Sequence, residues 1–177
     1  IHMVKFVELF GNRSLAKLLD FFLLNDKEYS QTQIIKKTNL SKATAIKWLS
    51  KLEKERLIKS TRIGTTKLLI INKSNVITKQ LKILKTLSDI TSLIIKDAKI
   101  YLYGSAARGE NDPNSDIDLL IIGKIKQEDI IKDIMDLSNK IKKEIKFEIF
   151  SFQEWSQMAR KDPAFYERVE KDKIEIL

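Results

Sequence analysis

Two aspartates two residues apart, Asp116 and Asp118, follow a Gly104-Ser105 turn and lead into the apolar run 119–122. Along a strand, side chains alternate faces, so positions i and i+2 point the same way. Both acids are therefore expected together at the end of a buried strand. Two adjacent buried carboxylates repel, and each is driven toward protonation unless a cation neutralises them. A hard cation with oxygen ligands, such as Mg²⁺, answers that need.

The turn before them suits an anion. Residues 99–103 read as a strand that ends at Gly104-Ser105, after which Ala106-Ala107-Arg108 open a short helix. Ser105 is expected to cap that helix. Free backbone N–H groups at a helix start favour phosphate. Gly104 lets the backbone approach it without a Cβ in the way. Arg108 offers a charge-assisted contact, either to phosphate or to a neighbouring carboxylate. Taken alone, Gly-Ser is common turn punctuation. Its order with Ser115-Asp116-Ile117-Asp118 is what points to chemistry.

Gly104-Ser105-x-Ala107-Arg108-Gly109 followed by Ser115-Asp116-Ile117-Asp118-Leu119 resembles the signature of the polymerase beta-type nucleotidyltransferase superfamily, and within it the small prokaryotic minimal nucleotidyltransferases. The resemblance spans roughly residues 75–177. It implies that Gly104 and Ser105, with Arg108 and Ser115 nearby, hold a nucleoside triphosphate such as ATP. It implies that Asp116 and Asp118 hold two Mg²⁺ ions, with Mn²⁺ as an alternative metal. It further implies a third acid on a neighbouring strand. Residues 146–152, rich in β-branched and aromatic types, read as that strand and contain Glu148. Family members often carry Asp there, and Glu148 is the candidate third ligand and general base. The alternative is an ordinary solvent-facing acid on an edge strand.

Composition agrees with carboxylate and metal chemistry. There is no cysteine, which excludes thiol nucleophiles, disulfides and Cys-type zinc sites. The single histidine is His2, and Ile1-His2-Met3 reads as an expression-tag scar before a native start at Met3. Without it, histidine-based triads and metal sites are excluded as well. No run of about 18 apolar residues suggests a membrane helix. No signal peptide is visible, so a cytoplasmic home and no membrane partner are expected.

The charge is unevenly spread. Residues 1–73 hold 15 Lys or Arg and 6 Asp or Glu, whereas residues 74–177 hold 18 of each. The entire net charge of +9 lies in the first part, as in a module that faces nucleic acid. Helical spacing predicts helices over 14–24, 31–37 and 42–55, the last with Ala45, Ile46, Leu49 and Leu52 inward. A hairpin follows, with strands at 57–62 and 67–71 and a turn near 63–65. Three helices and a hairpin in this order resemble a winged helix-turn-helix domain, spanning residues 3–73. That resemblance implies double-stranded DNA in contact with Lys42, Thr44, Lys47, Ser50 and Lys51 of the third helix and with Arg62, Thr65 and Lys67 of the wing. Such residues mostly touch phosphate. A solvated lysine-rich face is the alternative, and Trp48 reads as packing.

Between the modules, Val76, Ile77, Leu81, Ile83, Leu84 and Leu87 form an apolar helical stripe, with a break expected near Ser88-Asp89. It could pack on the catalytic sheet, bridge to the wing or form a dimer seam. Helices are also expected over 128–143, around Trp155 and from Asp162-Pro163 to about 171, with a short strand at 174–176.

The expectation is thus a two-domain α/β protein. An N-terminal winged helix-turn-helix would precede a C-terminal α+β nucleotidyltransferase domain (residues 74–177) with a small mixed sheet. It would move a nucleoside monophosphate from a triphosphate to an acceptor hydroxyl. The branch includes members that modify a helical partner protein, so that partner and a homodimer stay open. The alternative is a DNA-binding transcriptional regulator whose second domain only senses nucleotide or serves as a scaffold.

Overall fold

The computed structural model of the protein describes residues 10–176; the expected tag remnant lies outside the described residues. The first helix, α1, spans Arg13–Leu23 and is capped by Asn12, whose side chain accepts from Leu15 N at 2.9 Å. Its face of Leu18, Leu19, Phe22 and Leu23 is buried. A two-residue strand, β1 (Tyr29–Ser30), runs into α2 (Gln31–Thr38). There Ser30 and Gln33 form a reciprocal capping box, and Asn39 ends the helix in the left-handed region. Helix α3 (Lys42–Lys54) is capped by Ser41. The hairpin is β2 (Ile58–Ile63) and β3 (Thr66–Ile71), turning at Gly64 with φ +59°. Strand β1 joins β3, giving an antiparallel sheet in the order β1-β3-β2.

One sequence expectation is corrected in this region. Ile46 is 37% exposed, because the buried positions of α3 are Ala45, Leu49 and Leu52 and Ile46 lies off that line. The pairing of β1 with β3 was not foreseen, since two residues carry no periodicity.

Helix α4 (Val76–Ile90) begins at Asn75, which accepts from the N–H groups of Ile77 and Thr78. It runs unbroken through Ser88-Asp89. The expected stripe is only partly buried: Leu81 packs against the N-terminal core and Leu87 against the C-terminal one, whereas Val76 is 70% and Ile77 56% exposed and the polar Thr78, Lys82 and Thr86 are buried. Lys82 is turned inward, where its Nζ donates to the backbone carbonyl of Asn111.

The second sheet is mixed, in the order β6-β5-β4-β7. Strand β4 (Ala98–Tyr103) passes through the one-turn helix α5 (Gly104–Ala107) and a loop to β5 (Ile117–Gly123), its antiparallel neighbour. Helix α6 (Gln127–Ile141) crosses over to β6 (Ile145–Phe150), which lies parallel to β5 as a crossover connection requires. Helices α7 (Phe152–Lys161) and α8 (Pro163–Asp172) follow, then β7 (Ile174–Glu175) on β4. Asp162 caps α8 and Pro163 occupies its first turn.

Alternation along the strands gives this sheet two apolar faces. Ile100, Leu102, Leu119 and Ile121 pack with α6 and the end of α4. Tyr101, Tyr103, Leu120 and Ile122 pack with Trp155 of α7 and Val169 of α8. The result is eight helices among the described residues, one antiparallel sheet and one mixed sheet. Among the described residues no helix is long and apolar enough to cross a membrane.

Candidate functional site

The acids lie where β4 ends and β5 begins. Tyr103 pairs with Asp118 across the two strands. The next residue, Gly104, therefore turns directly over the Asp118 carboxylate. A Cβ built on Gly104 would stand 2.7 Å from Asp118 Oδ2, and Gly104 has φ +73°. Glycine is required there twice over, by conformation and by space.

Asp118 is half-buried on the α7–α8 face of the sheet, and Asp116 lies just before β5. Burial raises the Asp118 carboxyl above its ordinary range. The charge of Asp116 adds to this, while Lys146, Arg168 and Arg108 oppose it. Asp116 Oδ2 is 2.5 Å from Lys146 Nζ, and that contact raises the lysine. Lys146 is opposite Asp118 in the parallel register, and Glu148 is opposite Leu120. Glu148 therefore shares the face of Asp118, as alternation predicts. It is exposed, and its charge reaches Tyr103, whose hydroxyl is raised by burial first and then by Asp118 and Glu148. Among the described residues, no three acids are gathered as a ready set of metal ligands.

The other expected residues fall as follows. Ser105 is not the cap of α5: the N-cap is Tyr103, and Ser105 sits inside the first turn. The helix therefore starts at Gly104, two residues earlier than a Ser105 cap would place it. Arg108 takes the second of its two expected partners. Its Nε donates to Glu110 at 3.0 Å and its NH1 group to Asp172 at 2.6 Å. Ser115 closes the loop before the acids. Its Oγ accepts from Asp112 N at 2.8 Å, and its own N–H donates to Asp112 O at 3.0 Å.

Lys146 was not anticipated as part of the site. The signal was available: it stands two residues before Glu148 on one strand, hence on the same face. Arg168 had no such signal, because α8 is brought over the sheet only by tertiary packing.

The residues expected to meet DNA lie on α3 and the hairpin. Lys42, Lys47, Lys51 and Arg62 are exposed. Lys47 and Lys51 lie 5.6 and 5.5 Å from the centre of the Trp48 ring. Trp48 itself is half-buried against the N-terminal core. Thr44 accepts from Ser41 Oγ at 2.8 Å. Lys67 pairs with Glu53 at 2.6 Å, and this bond, with that from Ser60, holds the Glu53 carboxyl below its usual range.

No curated protein matches the chain. Among solved structures, a candidate nucleotidyltransferase from Sulfolobus solfataricus is similar, at 22% identity and a TM-score of 0.31. The match covers 55% of this chain and 85% of that one. The sequence model of the nucleotidyltransferase domain family matches residues 77–174, from α4 to β7, and contains both the Gly104-Ser105 turn and the acid pair. The chain therefore belongs to the nucleotidyltransferase domain family, whose reaction class is nucleotidyl transfer.

Proposed function

We propose that the protein is a Mg²⁺-dependent nucleotidyltransferase that transfers a nucleoside monophosphate to an acceptor hydroxyl and binds DNA through its N-terminal bundle. The observation that carries the catalytic part is the raised Asp118 carboxyl under Gly104, two residues from Asp116 and short of positive charge. The donor set suits a hard divalent ion: two part-exposed carboxylates on one side of a strand end, opposed in direct contact by a single exposed lysine. Asp116 and Asp118 would hold the metal. Two such ions activate an attacking hydroxyl and neutralise a leaving pyrophosphate.

The chain's own residues do the rest. Gly104 and Ser105 let the triphosphate approach the backbone beside Asp118. Ser115 fixes the loop that delivers Asp116. Arg108, held by Glu110 and Asp172, keeps positive charge at the end of α5. Glu148, on the same face and open to solvent, is the candidate acceptor for the proton of the attacking hydroxyl. Tyr103 stays protonated, because burial and two nearby acids raise it.

For the N-terminal bundle, the support is its element order and its net positive charge. Three helices and a hairpin present Lys42, Lys47, Lys51 and Arg62 outward, as a winged helix-turn-helix would. Lys67, already paired, contributes less. Binding of this kind weakens with salt, with a log–log slope of about −0.9 per phosphate neutralised.

The test is label transfer from each α-labelled nucleoside triphosphate, with Mg²⁺ and with DNA, RNA and cell extract as acceptors. The Asp116→Ala/Asp118→Ala variant is expected to lose transfer by at least about a hundredfold. Nucleotide binding without transfer in the wild type would replace this reading with that of a nucleotide-sensing regulator.

A further inference from the structure

Lys82 is the most buried ionisable side chain of α4, with only 4% of its surface exposed. Burial lowers its basicity, against the pull of Asp26. A buried amine is expensive, and an apolar side chain of similar volume usually serves a helix interior as well or better. The amine therefore needs a use. Its Nζ donates to the backbone carbonyl of Asn111 at 2.7 Å. It also lies 3.8 Å from Asp26, which belongs to the loop between α1 and β1.

Asn111 begins the loop that delivers the acid pair. Gly109, just before it, packs so closely on α4 that a Cβ would stand 2.2 Å from Lys79 O. Lys79 then pairs with Glu110 at 2.7 Å. Lys73, ahead of α4, bonds Asp112 and Asp26 at 2.6 Å each. Lys143 donates to Asp112 O at 3.2 Å. The Asp112–Ser115 turn follows at once, and then Asp116. Lysines supply most of the side-chain handholds on this stretch, with Arg108 on Glu110, and the lysine shut away from solvent is Lys82. Its counter-charge, Asp26, is outside the region matched by the family, which begins at residue 77.

We infer that Lys82, with Asp26 as its counter-charge, is a positioning residue for the metal-binding pair: it fixes the 110–115 loop so that Asp116 and Asp118 meet one ion. The N-terminal bundle is then part of the transfer site, although it contributes no group to the chemistry. The inference rests on the reading of Asp116 and Asp118 as metal ligands.

The probe is Mn²⁺ alone, its binding to the full chain followed by electron paramagnetic resonance. The variants are Lys82→Met, Asp26→Asn, the two combined, and Asp116→Ala/Asp118→Ala. Thermal unfolding of each is recorded in parallel. Lys82→Met is expected to weaken Mn²⁺ binding about tenfold or more while the unfolding midpoint holds or rises, a split that a merely structural lysine would not give. Asp26→Asn is expected to weaken it several-fold. The combined variant should be no weaker than Lys82→Met, because the two act as one unit. Mn²⁺ affinity within twofold of wild type in Lys82→Met overturns the inference. If that variant does not fold, an unchanged affinity in Asp26→Asn overturns it instead. Mn²⁺ binding that survives Asp116→Ala/Asp118→Ala overturns the ligand reading itself, and the inference with it.

Discussion

Two pairs of carboxylates meet the 110–118 segment, and the protein treats them in opposite ways. Asp26 and Asp112 share Lys73, which lies 2.6 Å from an oxygen of each, with Lys82 3.8 Å from Asp26. Hydrogen bonding with the Asp26 carboxyl, then with Lys73, takes the Asp112 carboxyl down to about 2. Among the described residues, Asp116 and Asp118 have no shared bridge. Lys146 bonds Asp116, and the Asp118 carboxyl is raised by burial and by its neighbour. Supply of cations does not explain the difference, since the chain has 33 Lys and Arg. One pair is closed by charges from the chain and serves as structure. The other is left short of positive charge, and such a site gains by taking a cation from solution.

The strongest way to break this contrast is to move one acid without removing it. Gly104→Ala puts a Cβ 2.7 Å from Asp118 Oδ2 and forces a left-handed conformation on alanine. The conformation alone costs about 1–2 kcal/mol. Displacing the carboxylate by a fraction of an ångström to an ångström is expected to lower transfer about a hundredfold. Urea unfolding and the transfer assay check the two parts separately. Wild-type Mn²⁺ affinity in Gly104→Ala would mean that the turn does not govern the site. Gly109→Ala is the control on the structural pair, because its Cβ would meet the backbone of α4 rather than a carboxylate. There the expected loss is stability, about 2–4 kcal/mol.

A milder change sharpens the contrast. Lys146 holds the place beside Asp116 that a metal would compete for. It is exposed, and an exposed ion pair contributes little. Lys146→Ala is therefore expected to tighten Mn²⁺ binding by about two- to fivefold. Weaker binding in that variant would instead make Lys146 a partner of the bound state.

Most of this arrangement was legible before the fold was known. The Asp-x-Asp spacing and the alternation of a strand led to Asp116 and Asp118 on one side, whereas the shared face of Glu148 and Asp118 comes from the register of β5 with β6. Ser30, Ser41 and Asp162 announced three helix starts through their capping chemistry. The chain position of Gly104 was readable, but its contact with Asp118 depends on the register of β4 with β5, which no local pattern encodes. Helix α4 shows the limit most clearly. Its apolar residues predicted the buried side, yet Thr78, Lys82 and Thr86 are inward. Periodicity assumes that a helix packs on an apolar surface. This one also packs on the charged 110–115 loop, so the rule placed Leu81 and Leu87 but missed the polar residues turned toward that loop.

The smallest expected effect bears most directly on the idea of a site kept short of charge. The folded-state carboxyl of Asp118 is raised above its ordinary value of 3.8. A group raised in this way costs stability whenever it is ionised in the fold, that is, above its folded pKa. The cost disappears below the unfolded value, where both states are protonated. Asp118→Asn should therefore melt higher than wild type at pH 7, by about 1–2 °C, with the gain shrinking to nothing as pH falls below about 3.8. Asp112 has the opposite sign. Its carboxyl, lowered to about 2, adds stability above its unfolded value and loses it as pH falls through about 2. Asp112→Asn should melt lower than wild type at neutral pH, with the difference closing toward pH 2. Melting curves of the two variants across pH separate the cases. Curves of the same sign would mean that both pairs are structural, whereas opposite signs would show the protein giving up stability at one pair to keep a place for a metal.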